Sequence, residues 1–67
     1  EIMKINIKVL KIAMARKQFN GADLAREAKV TSSSINYILN GKRNPSTKML
    51  GTIAKALDVD VTELLED

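Results

Sequence analysis

Residues 21–40 of the chain read GADLAREAKVTSSSINYILN, and this stretch carries the start and stop signals of two short helices. Asn20 and Thr31 each precede an apolar periodic segment, where a side-chain oxygen can cap the first turn of a helix. Asn40-Gly41 follows the second segment and is typical of a left-handed helix end. The pattern therefore predicts helices over about residues 21–28 and 32–39, joined by a tight turn.

Two longer helices are predicted on either side of this pair. Residues 4–9 alternate between polar and apolar side chains in the manner of a strand, but good helix formers follow as far as Gln18. We therefore predict a first helix over about residues 6–18. Ser46 is placed to cap a fourth helix that ends near Leu57.

A fifth helix is predicted after Asp60. Its side chain can cap the first turn, and Glu63 stands three residues later, as in a capping box. Val59 and Leu64 are spaced as a hydrophobic staple across the same cap.

Together these segments predict an all-α fold, a single domain of five short helices over residues 1–67. Helices of this length are stable in water only when they pack against each other. The residues expected to face the core are Ile7, Leu10, Met14, Leu24, Ala25, Ala28, Ile35, Ile38, Leu39, Leu50, Ile53, Ala54 and Leu57.

The composition of the 67-residue chain argues against catalysis and metal binding. Histidine and cysteine are both absent, so the commonest general base, disulfides and thiolate metal sites are missing. We expect no catalytic residue, no metal and no cofactor. The sequence also has no apolar run long enough for a membrane span and no signal-peptide pattern, and we expect a cytoplasmic protein.

The charges are segregated along the chain. Residues 2–48 contain ten basic and two acidic residues, a balance of +8, whereas residues 49–67 have a balance of −4. A basic surface attracts the phosphate backbone of nucleic acids, although many small domains carry mixed charge only for solubility.

Two helices joined by a tight turn, the second starting with small polar residues, suit reading of the major groove. At this point the sequence resembles the lambda-repressor-like helix-turn-helix family of the Cro/CI or Xre type. The matching residues are Leu24-Ala25, Val30, Ile35, Ile38, Asn40-Gly41, Arg43 and Pro45, and residues 53–57 and 59–65 resemble the fourth and fifth helices of that family. The resemblance implies a compact five-helix DNA-binding domain, with its helix-turn-helix at about residues 21–40, in a transcriptional regulator of bacterial or phage type, most simply a repressor.

The chain departs from the family pattern at three places. Gly21 replaces a frequent glutamine that can touch a phosphate, which leaves only a backbone N–H for that role. Lys29 replaces the usual glycine of the turn, where a left-handed lysine costs about 1 kcal/mol and predicts a distorted turn. Met14 and Leu39 stand where many members place a buried arginine–glutamate pair, and a joint change to apolar residues is the kind that folding tolerates.

The resemblance also implies a set of DNA contacts. Ser32, Ser33, Asn36 and Tyr37 occupy the base-reading positions, and Asn20, Gly21, Thr31, Asn40, Lys42 and Arg43 are placed to bind phosphates. Asn36 can pair with the N6 and N7 edge of adenine, whereas the recognition helix has no arginine for guanine. Ser32 equally fits a helix start, and Tyr37 could instead cover the edge of the core. A solvated loop is the alternative for Lys42 and Arg43, and we interpret Lys4, Lys8 and Lys11 as a solvated face.

The expected partners are double-stranded DNA, with a palindromic operator, and a second copy of the chain in a weak homodimer. Ile5, Val9 and Ile12 form an apolar stripe that either packs on the fifth helix or forms a dimer face. The alternative function is a protein-interaction module of the same fold, antitoxin-like or coactivator-like, with weak DNA binding. RNA binding is disfavoured because the chain has only two aromatic residues for stacking, Phe19 and Tyr37.

Overall fold

The computed structural model describes residues 4–66, and its helices begin and end close to the predicted positions. The α-helices are α1 (Ile7–Lys17), α2 (Gly21–Ala28), α3 (Ser32–Leu39) and α4 (Thr47–Leu57). The predicted domain bounds extend further, to residues 1–3 and 67, which lie outside the described residues. No helix within residues 4–66 has both the length and the apolar character needed to cross a membrane.

Each α-helix begins at a polar side chain that accepts a hydrogen bond from the backbone N–H three residues later. The capping residues are Asn6, Asn20, Thr31 and Ser46, and the oxygen–nitrogen distances are 3.2, 2.8, 3.2 and 3.2 Å. These bonds satisfy donors that have no acceptor inside the helix. The caps therefore fix where each helix starts.

Each α-helix is followed, within two residues of its last helical residue, by a residue with a left-handed backbone. These residues are Gln18, Lys29, Gly41 and Asp58, with φ of 60°, 60°, 73° and 57°. In all four cases the left-handed residue donates its N–H to the carbonyl three residues back, and the next residue donates to the carbonyl five residues back. This is the Schellman motif, which satisfies the last carbonyls of the helix.

Lys29 therefore adopts the strained conformation that the sequence suggested, but the turn is not distorted. The N–H of Lys29 lies 3.2 Å from the carbonyl oxygen of Arg26, and the N–H of Val30 lies 2.9 Å from that of Ala25. The expectation of an irregular turn was wrong, because the packing of the flanking helices holds a lysine in a geometry that glycine adopts more easily.

One apolar core joins all the helices. Its buried members are Ile5, Leu10, Ala13, Met14, Leu24, Ala25, Ile35, Ile38, Leu50, Ile53, Ala54, Leu57 and Leu64. Two of the residues predicted to face inward, Ile7 and Leu39, are only half-buried and pack against this cluster. No polar or charged residue is buried within residues 4–66.

The predicted fifth helix is a short 3₁₀ turn, Val61–Leu64, so the described fold has four α-helices and not five. The capping box forms as expected, with the Asp60 N–H 3.1 Å from the Glu63 carboxylate. Hydrogen bonds from the backbone and then the hydroxyl of Thr62 lower the pKa of Asp60. The helix stops after one turn because Leu65 takes an extended conformation to pair with Ile5.

This pairing brings the two ends of the described chain together. The N–H of Asn6 donates to the carbonyl of Leu64 at 2.7 Å, and the N–H of Glu66 donates to the carbonyl of Lys4 at 2.8 Å. Ile5 is buried as a result, at 3% exposure. The alternation in residues 4–9 therefore corresponds to one bridging residue followed directly by α1.

The left-handed lysine gives a test of backbone strain. Lys29→Gly should raise the free energy of unfolding by about 1 kcal/mol, because glycine adopts positive φ without a steric penalty. Urea titration measures the change. Lys29→Ala is the matched control, since it removes the same charge but keeps the β-carbon, and it should give no gain; equal stabilisation by both variants would contradict the strain argument.

The apolar replacement of the ion pair gives a second test. Met14→Arg should lower the free energy of unfolding by about 3–5 kcal/mol, because it places an unpaired charge in the core. Met14→Arg combined with Leu39→Glu should recover part of the loss through a coupling of about 0.5–3 kcal/mol. Thermal unfolding of the two single variants and the double variant measures this coupling, and strictly additive losses would show that the two positions do not meet.

Candidate nucleic-acid interface

The helix-turn-helix is built by α2 and α3, which pack through their apolar faces. Leu24, Ala25 and Ala28 on α2 are buried, as are Ile35 and Ile38 on α3. Burial of these residues fixes the rotation of α3 about its own axis. The opposite face of α3 is left to solvent.

The four predicted base-reading residues, Ser32, Ser33, Asn36 and Tyr37, lie on this exposed face. They are spaced as two pairs four residues apart, and residues at that spacing lie on the same face of a helix. Ser34 turns away from them, since its hydroxyl lies 2.9 Å from the hydroxyl of Thr31 and its N–H donates to the same oxygen. The serine run thus divides into two exposed residues and one that helps to cap the helix.

Tyr37 is held by a residue beyond the end of α3. Its ring lies 5.6 Å, measured from the ring centroid, from the guanidinium carbon of Arg43. The Schellman motif at Gly41 reverses the chain, so that the N–H of Lys42 bonds to the carbonyl of Tyr37 at 2.9 Å. A cation–π contact at an exposed site contributes about 0.5–1 kcal/mol. With 48% of its surface exposed, Tyr37 has its ring against Arg43, in the segment that follows α3, and does not close over the core.

Asn36 lies against the start of α2. A β-carbon built on Gly21 would stand 3.3 Å from Oδ1 of Asn36 and 3.6 Å from Cδ1 of Leu39. The close approach of the two helices therefore suits glycine, and a β-carbon at position 21 would require the side chain of Asn36 to shift slightly. No local sequence pattern indicates this contact, because the two residues are fifteen positions apart.

The predicted phosphate ligands at the helix starts are partly engaged in capping. The side chain of Asn20 accepts from the N–H of Asp23, and the carboxylate of Asp23 accepts from the N–H of Asn20 at 3.0 Å. Gly21 occupies the first position of α2, where the helix itself offers its N–H no acceptor. The oxygen of Thr31 is likewise used at the start of α3. Helix α2 therefore does not use the backbone N–H of Gly21, and a phosphate contact there stays a prediction.

The remaining predicted phosphate ligands, Asn40, Lys42 and Arg43, are exposed in the segment that follows α3. We call residues 40–44 the basic loop. Asn44, which was not predicted from the sequence, bonds this loop to the start of the described chain: its Oδ1 accepts the N–H of Ile5 at 3.1 Å. In the sequence Asn44 is one of several polar residues around Pro45, and its partner lies thirty-nine residues away.

The structure thus gathers the predicted residues around one surface. The exposed face of α3 is flanked by Gly21 on the side of Asn36 and by Arg43 on the side of Tyr37. Thr31 and Asn40 stand at its two ends. A polar helix face bordered by backbone donors and cations has the arrangement needed to meet base edges and phosphates together.

Comparison with known proteins agrees with this geometry. A family model described as helix-turn-helix matches residues 10–64. Among solved structures, the restriction-modification controller protein C.AhdI from Aeromonas hydrophila is similar with a TM-score of 0.79 and 24% sequence identity, over 85% of this chain and 86% of that chain. No curated protein sequence matches the chain. Because the family model extends from α1 to the 3₁₀ turn, the protein belongs to the Cro/CI-type helix-turn-helix family of DNA-binding proteins.

Proposed function

We propose that this protein binds a specific double-stranded DNA sequence through α3 and regulates transcription as a repressor of bacterial or phage type. The observation that carries the proposal is the exposed polar face of α3, bordered directly by the basic loop. The controller protein with a similar structure agrees with a regulatory role. A regulator of this kind acts in the cytoplasm, at the nucleoid.

Base recognition falls to the exposed face of α3. The side-chain amide of Asn36 can donate an N–H to N7 of adenine while its carbonyl oxygen accepts from the N6 amino group, and Ser33 can bond to several base edges. Tyr37 offers its ring to a thymine methyl group and its hydroxyl to a base edge or a phosphate. Since α3 carries no arginine, the preferred site is not one dominated by guanine contacts.

Phosphate binding falls to the groups around that face. Lys42 and Arg43 supply charge at the end of α3, and the N–H of Gly21 supplies a backbone donor at the start of α2. Such contacts position the protein on the duplex and do not depend on the base sequence. Asn20, Thr31 and Asn40 assist at the helix ends.

The two kinds of contact can be separated by mutation. Asn36→Ala and Tyr37→Ala should each reduce the preference for a matched site over a scrambled site by about 1–3 kcal/mol, whereas Lys42→Ala should weaken both sites alike. Competition binding on the two duplexes measures the difference, and the wild-type protein should lose affinity steeply with salt. An unchanged preference in the Asn36 and Tyr37 variants would place the reading face elsewhere, and salt-insensitive binding would favour a protein-interaction module.

A second copy of the chain completes the proposal. One short recognition helix reads few base pairs, and two-fold pairing on a palindromic site doubles the contact. Ile5 is buried inside the monomer and is removed from the predicted dimer face. Ile12 and Val61 remain 45% and 36% exposed, and a groove between α1 and the 3₁₀ turn is lined by Ile12 together with Val9 and Val59.

Sedimentation at increasing concentration tests the pairing. A palindromic duplex should take up two copies, with little dimer in its absence, and Ile12→Ser should reduce the occupancy of the second half-site while leaving the melting temperature nearly unchanged. Lys11→Ser, one position away on the exposed side of α1, is the control. One copy per duplex at saturation would rule out the dimer.

A further inference from the structure

A groove of about 600 Å³ opens between the start of the described chain and the basic loop. Its charged lining consists of Lys4, Lys8 and Arg43 against Glu66, a net charge of +2. The sequence alone suggested that Lys4 and Lys8 belong to a solvated face. In the structure they line the same groove as Arg43, so the two lysines share a surface with the basic loop.

Two hydrogen bonds, one to a side chain and one between backbone groups, hold residues 5 and 6 at the edge of this terminal groove. Asn44 in the basic loop accepts the N–H of Ile5 at 3.1 Å, and the neighbouring N–H of Asn6 donates to the carbonyl of Leu64 at 2.7 Å. Residues 5 and 6, which line the groove, are thus bonded to Asn44 in the basic loop and to Leu64 in the 3₁₀ turn. The cations are therefore carried on a preformed surface.

Neither lysine has a strong structural role. Lys4 lies 3.8 Å from a carboxylate oxygen of Glu66, but their side chains are 71% and 43% exposed, and exposed ion pairs of this kind contribute little. Lys8 stands in the first turn of α1, where the helix dipole disfavours a cation. Stability of the fold therefore does not account for either residue.

Arg43 joins the groove to the reading face of α3. It lines the groove and, at the same time, lies over the ring of Tyr37. A duplex seated on α3 thus brings its backbone towards the groove. No polar or charged side chain is buried within residues 4–66, so the groove has no buried donor to hold a single small anion, and its exposed cations suit an extended polyanion.

We propose that the terminal groove is a second phosphate-binding surface, in which Lys4 and Lys8 bind the sugar–phosphate backbone of the duplex that α3 reads. The proposal rests on the proposed function and extends the DNA-contacting surface from α3 to the paired segments at residues 4–6 and 64–66. Glu66 opposes this binding, because its carboxylate repels phosphate and competes for Lys4.

Salt titrations of DNA binding test the proposal with the full chain. Each phosphate contact contributes about 0.9 to the slope of log affinity against log salt on B-form DNA, so Lys8→Gln should reduce the slope by about one contact and Lys4→Gln combined with Lys8→Gln by about two. Lys55→Gln, an exposed lysine on α4 away from the groove, makes the same charge change and should leave the slope unchanged. Glu66→Gln should tighten binding, an effect that a merely structural role would not produce.

The possible outcomes separate this proposal from the proposed function. If the wild-type slope is steep and the Lys8, Lys4 and Lys55 variants all behave alike, the groove does not contact DNA, and the role of α3 is untouched. If the wild-type protein shows no salt-dependent binding to duplex DNA, both proposals fall. Saturable binding of inorganic phosphate at constant ionic strength, detected by amide shifts at Lys8 and Asn44, would assign the groove to a free anion and would also overturn the proposal.

Discussion

Each α-helix of this protein is too short to be stable alone. Each is followed by one residue with a left-handed backbone conformation. The residue that follows this turn decides where the chain goes next. After α1, α2 and α4 it is apolar, namely Phe19, Val30 and Val59, and it packs against the core. After α3 it is Lys42, which is exposed. The same backbone motif therefore directs the chain back to the core after α1, α2 and α4, whereas after α3 it directs the chain into the exposed basic loop.

The side chains that face DNA in the proposed function are supported from outside α3. Asn36 lies against Gly21 of α2, and Tyr37 lies beneath Arg43 of the basic loop. Their geometry thus depends on how closely α2 approaches α3 and on where the loop returns. Under the proposed function, base preference would accordingly depend on three segments, because Gly21 and Arg43 contact the side chains proposed to read the bases.

Local chemistry made most of the fold predictable, and long-range pairing accounts for what was missed. The bounds of α2 and α3 were confirmed because Asn20, Thr31 and Asn40-Gly41 act within a few residues of themselves. The fifth helix was wrong because its length is limited by a bridge to Ile5, sixty positions from Leu65. The anchor at Asn44 and the fit of Gly21 to Asn36 likewise depend on partners that no local pattern reveals. The individual DNA contacts stay predictions.

The pairing of the chain ends has a kinetic consequence. Most contacts in the fold are helical and local, whereas the bonds of Lys4 and Asn6 to residues 64–66 close the longest loop in the described chain. Closing this loop costs conformational entropy before the contacts themselves can stabilise the fold. They are therefore expected to form late in folding and to open early in native-state fluctuations, as the least protected amides of the core. Because Asn44 of the basic loop accepts a hydrogen bond from Ile5, opening of the paired segments is expected to make the basic loop more mobile. The loop that is proposed to bind the phosphate backbone is thus coupled to the longest-range contacts of the described residues.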